Sequence, residues 1–182
     1  SSIIRLFFCC NTNMPKAIIV CGTPGSGKTT HAKQLAANGT ALLLDIDTVT
    51  ERLVRVGLVE SGHNPDDRDS EYFKRTYREP IYQALFDIAR ENLPYHDVVI
   101  VGPFTREIQD SGWPVKLGSE LGSLVVVHYV QCPPDIRRQR LAARGDTRDR
   151  AKLADWDRYI RYYGDEHPPV FEHVAFDGAS TV

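Results

Sequence analysis

The sequence contains few features that would set it apart from ordinary globular domains. Its 182 residues carry 22 basic and 24 acidic side chains, which gives a net charge of −2 and a pI near 6.3. This near balance argues against a protein that grips long nucleic acid electrostatically. The four cysteines (Cys9, Cys10, Cys21 and Cys132) form no C-x-x-C pair and show no metal-ligand spacing. We therefore predict free thiols in a reducing, cytoplasmic environment.

No low-complexity tract, charge block or internal repeat divides the chain, so its length predicts one domain. Met14 is the only methionine and directly precedes the first apolar run. The apolar stretch 3–8 is too short to span a bilayer and lacks the basic front of a signal peptide. We predict that residues 1–13 are an extension upstream of the natural start, native or artificially added, and that residues 14–182 form the functional domain. The alternative is that residues 1–13 form a strand or an interaction arm.

The most specific motif fits the pattern G-x-x-x-x-G-K-[ST] and reads Gly22-Thr23-Pro24-Gly25-Ser26-Gly27-Lys28-Thr29. It follows an apolar run at 16–21, typical of a buried strand, and precedes a helical pattern at 30–37. The glycines allow backbone N–H groups to converge on phosphate oxygens. We expect Lys28 to bind the β- and γ-phosphates and Thr29 to ligate Mg²⁺, with Thr30 beginning the helix beside the nucleotide. The strand and helix context argues against an ordinary glycine-rich turn.

The rest of the chain alternates apolar runs with helical patterns, which predicts an α/β fold with a mostly parallel sheet and helices on both faces. Strands are expected at 42–44, 98–102 and 124–130, with an edge strand at 173–176. Gly57 is expected to end the helix after the second strand, and Pro80 to cause a kink or a junction of two helices. A final amphipathic helix is predicted from the spacing of Leu153, Trp156, Ile160 and Tyr163.

Two aspartates, Asp45 and Asp47, follow the second strand and precede a capping-box pattern from Thr48 to Glu51. Carboxylates at i and i+2 of a strand end point the same way, at the sheet edge where ligands bind in open α/β folds. Phosphoryl transfer needs one group that orients the nucleophile and another that supports the metal. We assign Asp47 to accept the proton of a substrate hydroxyl, and Asp45 to ligate or orient Mg²⁺. The two roles could be exchanged, or one aspartate could only cap the helix at Thr48.

An arginine-rich segment at 137–150 contains six arginines and no lysine. Guanidinium groups suit bidentate phosphate contacts and stacking on a base. A run that starts on a helix and continues through a Gly/Asp-rich link is typical of a lid that closes over ATP. We predict that Arg140 and Arg144 contact the nucleotide, that Arg148 is the lid arginine acting in transfer, and that Arg137 and Arg138 lie on the surface. The alternative for some of them is a solvated helix face with Arg–Asp pairs.

With these parts together, the chain resembles the P-loop small-molecule kinases. The group includes shikimate and gluconate kinases, chloramphenicol phosphotransferase, zeta toxins and the kinase part of polynucleotide kinase. The resemblance covers about residues 15–163. Asp45-Ile46-Asp47 is similar to the D-x-D of shikimate kinases, whose first Asp supports Mg²⁺ and whose second activates the hydroxyl. The resemblance implies a P-loop NTPase three-layer fold, a five-stranded sheet of order 2-3-1-4-5, an arginine-bearing lid and ATP as donor.

The acceptor side departs from these relatives. After the third strand the chain reads Gly102-Pro103-Phe104-Thr105-Arg106, without the carboxylate or Gly-rich motif that many relatives carry there. The missing carboxylate places more weight on Asp45 as the metal residue. We select Phe104, Arg75 and Arg78 as candidate substrate contacts, the two arginines for an acceptor bearing a phosphate or carboxylate. Either arginine could equally be a solvated helix position.

The expected activity is ATP- and Mg²⁺-dependent transfer of the γ-phosphoryl group to a hydroxyl of a small metabolite or antibiotic-like molecule. The sequence lacks N-K-x-D and D-x-x-G for a GTPase, L-S-G-G-Q for an ABC ATPase, and an apolar strand ending in Asp-Glu for a motor of the AAA+ class. The alternatives that remain are a nucleotide or polynucleotide 5′-hydroxyl kinase and a regulatory P-loop ATPase.

Overall fold

The computed structural model describes residues 14–161 and 166–180. Five strands form one sheet in the order β2-β3-β1-β4-β5, and each of the four neighbouring pairs is parallel. The strands are β1 (Lys16–Cys21), β2 (Leu42–Asp45), β3 (Val98–Val101), β4 (Leu124–Gln131) and β5 (Val174–Asp177). The predicted order and parallel pairing are confirmed, and β5 lies at an edge as expected.

Eight helices connect the strands in the described part of the chain: α1 (Lys28–Gly39), α2 (Ile46–Glu60), α3 (Glu71–Thr76), α4 (Arg78–Asn92), α5 (Trp113–Leu121), α6 (Pro134–Arg144), α7 (Arg150–Ala154) and α8 (Trp156–Tyr159). Short 3₁₀ turns occur at Glu107–Gln109, Thr147–Asp149 and Gly178–Ser180. None of the helices in the described ranges is long and apolar enough to cross a bilayer.

The central strand β1 is buried on both faces, which explains why it reads as an unbroken apolar run. Ala17 and Ile19 belong to the core on one side of the sheet, where α2, α4 and α5 pack. Ile18 and Val20 belong to a second core on the other side, against Ala32 of α1. Alternate side chains of one strand thus serve two layers of helices, and the predicted three-layer architecture is confirmed.

Two predictions about helix boundaries have different outcomes. Gly57 does not end α2, which continues to Glu60. Instead, a Cβ at Gly57 would lie 2.5 Å from the Tyr77 hydroxyl, so the glycine allows Tyr77 to pack closely on this helix. The predicted junction near Pro80 is present, because α3 ends at Thr76 and α4 begins at Arg78. Pro80 is the third residue of α4, where its missing N–H removes no intrahelical bond.

The final helix differs from the prediction. The segment from Leu153 to Ile160 forms two short helices, α7 and α8, which are separated at Asp155. Asp155 has non-helical backbone angles, and its side chain accepts a hydrogen bond from the N–H of Arg158. An N-cap therefore interrupts the apolar periodicity that predicted one helix. Tyr163 and the predicted extension 1–13 lie outside the described residues.

Candidate active site

The glycine loop connects β1 to α1 as the motif predicts. Gly22 has a φ of +144°, and a Cβ there would lie 2.4 Å from the carbonyl oxygen of Val130 in β4. Gly27 is the N-cap of α1, with a φ of +100°. Both positions therefore require glycine. The loop lies at the N-terminus of a 12-residue helix, whose unpaired N–H groups and positive dipole end favour a bound anion.

Lys28 and Ser26 show that this loop is suited to phosphate. The Nζ of Lys28 donates to the carbonyl oxygen of Thr23 at 2.8 Å. The pKa of Lys28 is lowered from 10.5 to about 8, and burial is the largest cause. The Oγ of Ser26 is buried and has no hydrogen-bond partner among the described residues. A phosphate group would satisfy this hydroxyl and stabilise the lysine charge, so the residues present fit a triphosphate.

Thr29 and Asp45 come together beside the loop. The Oγ1 of Thr29 donates to Oδ2 of Asp45 at 2.9 Å, and Oδ1 of Asp45 accepts from the N–H of Asp47 at 2.9 Å. Asp45 is thus the N-cap of α2 and also faces Thr29. Hydroxyl and carboxylate oxygens are ligands that Mg²⁺ accepts, and Mg²⁺ is usually bound through one or two such groups together with substrate phosphates. The pair fits the predicted metal site.

The backbone around the two aspartates differs from the prediction. The second strand ends at Asp45 and α2 begins at Ile46, so Asp47 lies in the first turn of a helix rather than on a strand end. The Asp47 side chain is 57% exposed. Its carboxylate accepts from Nη1 of Arg148 at 2.9 Å and from Nη2 at 3.3 Å. The two aspartates therefore face different partners, Thr29 and Arg148.

The predicted lid arginine is surrounded by carboxylates. Besides Asp47, the Arg148 guanidinium contacts Glu51 at 3.1 Å and Asp146 at 2.7 Å. The hydrogen bond to Asp146, followed by the bond to Asp47, holds the pKa of Arg148 above its usual range. The same bond holds the pKa of the Asp146 carboxyl well below its usual range. The hydroxyl of Thr147 also donates to Asp66, so the lid segment 145–150 is attached to the body of the protein in this structure.

The four arginines of α6 have four different surroundings. Nη1 of Arg140 lies 3.4 Å from the carbonyl oxygen of Ser26 in the glycine loop, and its contact with a nucleotide stays a prediction. Arg144 is paired with the buried carboxylate of Asp149 at 2.5 Å. Arg138 is exposed as predicted, but Arg137 is completely buried, so its predicted surface position is wrong.

The backbone of Arg137 lies against the glycine loop. A Cβ at Gly25 would lie 3.0 Å from the carbonyl oxygen of Arg137 and 3.2 Å from Leu141. Helix α6 therefore packs directly against the loop at Arg137 and Leu141. A run of arginines in the sequence does not show which one of them faces that contact.

Two candidate acceptor contacts, Arg78 and Phe104, have partners within the protein. Arg78 forms a bidentate pair with Glu107, at 3.0 and 2.8 Å, and its guanidinium lies 5.0 Å from the centre of the Tyr82 ring. Phe104 is fully buried, and its ring centre lies 4.8 Å from that of Tyr82. Its φ of +44° turns the side chain into the core. As placed, Phe104 supports the turn after β3 rather than lining a pocket, while Arg75 is exposed on α3.

Three acidic residues were not selected from the sequence. Glu51 was interpreted as a capping-box residue, but α2 begins earlier than expected, and its side chain reaches Arg68 and Arg148 instead. Asp146 lies in a link that contains several aspartates and arginines, so the sequence does not distinguish it from its neighbours. The carboxylate of Glu166 accepts from the Tyr129 hydroxyl at 2.5 Å, from Thr23 Oγ1 at 3.3 Å and from the N–H of Cys132 at 3.2 Å. Only the fold brings these partners together.

Comparison with known sequences gives the family. The family described as "AAA domain" matches residues 18–165, which include the glycine loop, both aspartates and the lid. This chain belongs to that AAA-domain family. A search of curated proteins found no match.

Solved structures share the fold of this AAA-domain protein over nearly its full length. A kinase candidate from Chloroflexus aurantiacus is 20% identical, with a TM-score of 0.64 over 93% of this chain and 92% of the other. A sugar kinase from a Janibacter species is 14% identical, with a TM-score of 0.59 over 91% and 87% of the two chains. A gluconokinase from Sinorhizobium meliloti is 15% identical, with a TM-score of 0.51 over 92% and 85%. The chain therefore has the fold of P-loop small-molecule kinases.

Proposed function

We propose that this protein transfers the γ-phosphoryl group of ATP to a hydroxyl group of a small molecule, with Mg²⁺ as the metal. The observation that carries the proposal is the pairing of Asp47 with Arg148 beside the glycine loop. This pair would supply a carboxylate able to accept a proton and a cation able to stabilise a moving phosphoryl group. A protein that only binds nucleotide would not need this pair.

The residues of the chain divide the reaction between them. Lys28 exchanges its bond to Thr23 for the β- and γ-phosphate oxygens, and Arg140 contacts the nucleotide from α6. Thr29 and Asp45 would hold Mg²⁺, which would neutralise phosphate charge and orient the leaving group. Asp47 accepts the proton of the acceptor hydroxyl as its oxygen attacks the γ-phosphorus.

Phosphoryl transfer forms one bond to phosphorus and breaks another. A bond forms between the acceptor oxygen and phosphorus, the bond to the bridging oxygen of ADP breaks, and the proton remains on Asp47. Arg148 stabilises the charge on the transferred group, and the lid excludes water from it.

The acceptor is best described as an uncharged hydroxyl compound, a metabolite or antibiotic-like molecule. Arg78 is already neutralised by Glu107, and Arg68 by Glu51. To reach Arg78 or Arg68, an acceptor bearing a phosphate or carboxylate would have to displace one of these carboxylates, so this observation weighs against nucleoside monophosphates and polynucleotide ends. Two buried free thiols in the described residues, Cys21 and Cys132, are in keeping with a reducing cytoplasm.

The test is a screen of acceptors with Mg-ATP, with mass spectrometry to find a product heavier by one phosphoryl group. The panel holds neutral polyols and amino sugars, sugar acids, nucleoside monophosphates and 5′-hydroxyl oligonucleotides. We expect a phosphorylated neutral hydroxyl compound. Release of ADP and phosphate with every acceptor would instead favour a regulatory ATPase, and a phosphorylated nucleotide would favour the nucleotide kinase.

Substitution of the base tests the role of Asp47 in that reaction. Asp47→Asn should lower the transfer rate by about 10²- to 10⁴-fold while the dissociation constant for ATP stays within about twofold, because the glycine loop is unchanged. Asp87→Asn, which alters an exposed carboxylate on α4, is the matched control. Transfer at the wild-type rate by the Asp47 variant would show that another group accepts the proton.

A further inference from the structure

Glu51 lies one helical turn after Asp47 on α2 and joins three arginines from three parts of the chain. Its carboxylate is 2.8 Å from Arg68 of the loop 61–70, 3.1 Å from Arg148 of the lid, and 3.7 Å from Arg55 on its own helix. The side chain is only 24% exposed. Ion pairs of this kind, partly buried and shared among several groups, hold segments together better than isolated surface pairs do.

Two further contacts join the same segments. The guanidinium of Arg68 donates to the carbonyl oxygens of Pro65 at 2.9 Å and Asp67 at 2.5 Å, so it closes the loop 61–70 on itself while it holds Glu51. On the lid, Thr147 donates to Asp66 of that loop at 2.9 Å. The lid and the loop 61–70 are thus connected in two ways, through Glu51 and through the hydrogen bond between Thr147 and Asp66.

The three carboxylates around Arg148 are not equivalent. Asp146 is two residues away on the lid itself and moves with it. The other two, Asp47 and Glu51, belong to α2 and hold the guanidinium to the body of the protein. When Asp47 turns to the acceptor hydroxyl, it can no longer hold Arg148 with both oxygens. Glu51 is then the carboxylate of α2 that keeps Arg148 in place.

We propose that Glu51 is a positioning residue, which holds Arg148 over the site while Asp47 accepts the proton of the acceptor. Glu51 also couples the loop 61–70 to lid closure. This role rests on the proposed function. Because one carboxylate contacts both Arg68 and Arg148, a shift of the loop 61–70 on acceptor binding changes the hold on the lid arginine.

The experiment compares Glu51→Gln with Glu60→Gln, which makes the same change at an exposed position on the same helix. Hydrogen exchange of the nucleotide-free protein is measured for peptides that cover the lid segment 145–150. We expect about five- to tenfold faster exchange there in Glu51→Gln, because a neutral amide holds a guanidinium less strongly, and no change in the control. Glu51→Asp keeps the charge but is one methylene shorter, and should give an intermediate rate.

Kinetics then separate positioning from a structural role. Glu51→Gln should lower kcat about tenfold and leave the KM for ATP within about threefold, since the glycine loop is untouched. Unchanged lid exchange in this variant would overturn the proposal, and so would faster exchange with an unchanged kcat. If the wild-type protein phosphorylates no acceptor, the proposed function fails, whereas the exchange data still show whether Glu51 holds the lid.

Discussion

The glycine loop makes a quantitative prediction about protons. Lys28 is half-buried, and burial lowers its pKa from 10.5 to about 8. In the nucleotide-free protein at pH 8, Lys28 should therefore be neutral in about half of the molecules. Nucleotide phosphates stabilise the charged form and should return the pKa towards 10.5. Binding should then take up about half a proton at pH 8, about nine-tenths at pH 9 and about one-tenth at pH 7.

The sign of the pH dependence follows from this shift. Only protonated Lys28 binds the phosphates strongly, so its contribution to nucleotide affinity is complete below about pH 8 and is lost as the pH rises towards 10.5. The full shift corresponds to about 3 kcal/mol. Without nucleotide, the same lowered pKa means that burial of the charged lysine costs stability below pH 8, and that this cost is relieved as the pH rises above it.

The assay is titration calorimetry with ADP at pH 8 in two buffers of different ionisation enthalpy, which gives the number of protons taken up. Lys28→Arg is the control, because a guanidinium stays protonated throughout this range. Protons gained or lost by ADP itself are common to both proteins and cancel in the difference. Equal proton uptake by the wild type and by the arginine variant would refute the reasoning.

Two further predictions concern the walls of the loop. Arg137→Ala should lower the free energy of unfolding by about 3 kcal/mol, since loss of a completely buried side chain leaves a cavity. The substitution Arg138→Ala at its exposed neighbour should change the free energy of unfolding by less than about 0.5 kcal/mol in the same urea titration. Gly178→Ala would place a Cβ 2.0 Å from the Ser26 carbonyl oxygen and should cost about 1–3 kcal/mol and weaken ATP binding. The matched control is Gly39→Ala, whose Cβ meets nothing within 4 Å. Urea titration and equilibrium ATP binding compare the two variants, and equal stability and equal affinity would show that the close contact at Gly178 does not matter.

The elements predicted best are those that local sequence specifies. Strand β1 spans 16–21, as its apolar run predicts, and the arginine run starts on a helix as expected, α6, which begins at Pro134 and ends before Gly145. Proline is favoured in the first turn and glycine directly after the last, so both ends are written in the sequence. Gly57 was misinterpreted because a glycine that ends a helix and one that admits a neighbouring ring look the same in one dimension.

The candidate site shows the same division. The loop around Lys28 is recognised from spacing alone, because close approach to phosphate demands glycine and a lysine at fixed offsets. The partner of Arg78 lies 29 residues away in the chain, and that of Arg148 lies 101 residues away. The long arginine side chains reach many positions, so local sequence offers no reason to choose Glu107 as the partner of Arg78 or Asp47 as the partner of Arg148.

By itself, the sequence determined the alternation of buried strands and helices and the phosphate-binding loop, because these depend on apolar spacing and on glycine at particular backbone angles. The tertiary structure alone decided which charges neutralise one another. It buried Arg137, turned Phe104 into the core, and brought Asp47, Glu51 and Arg148 together. Such contacts join distant segments, and their geometry exists only once the helices have packed on the sheet.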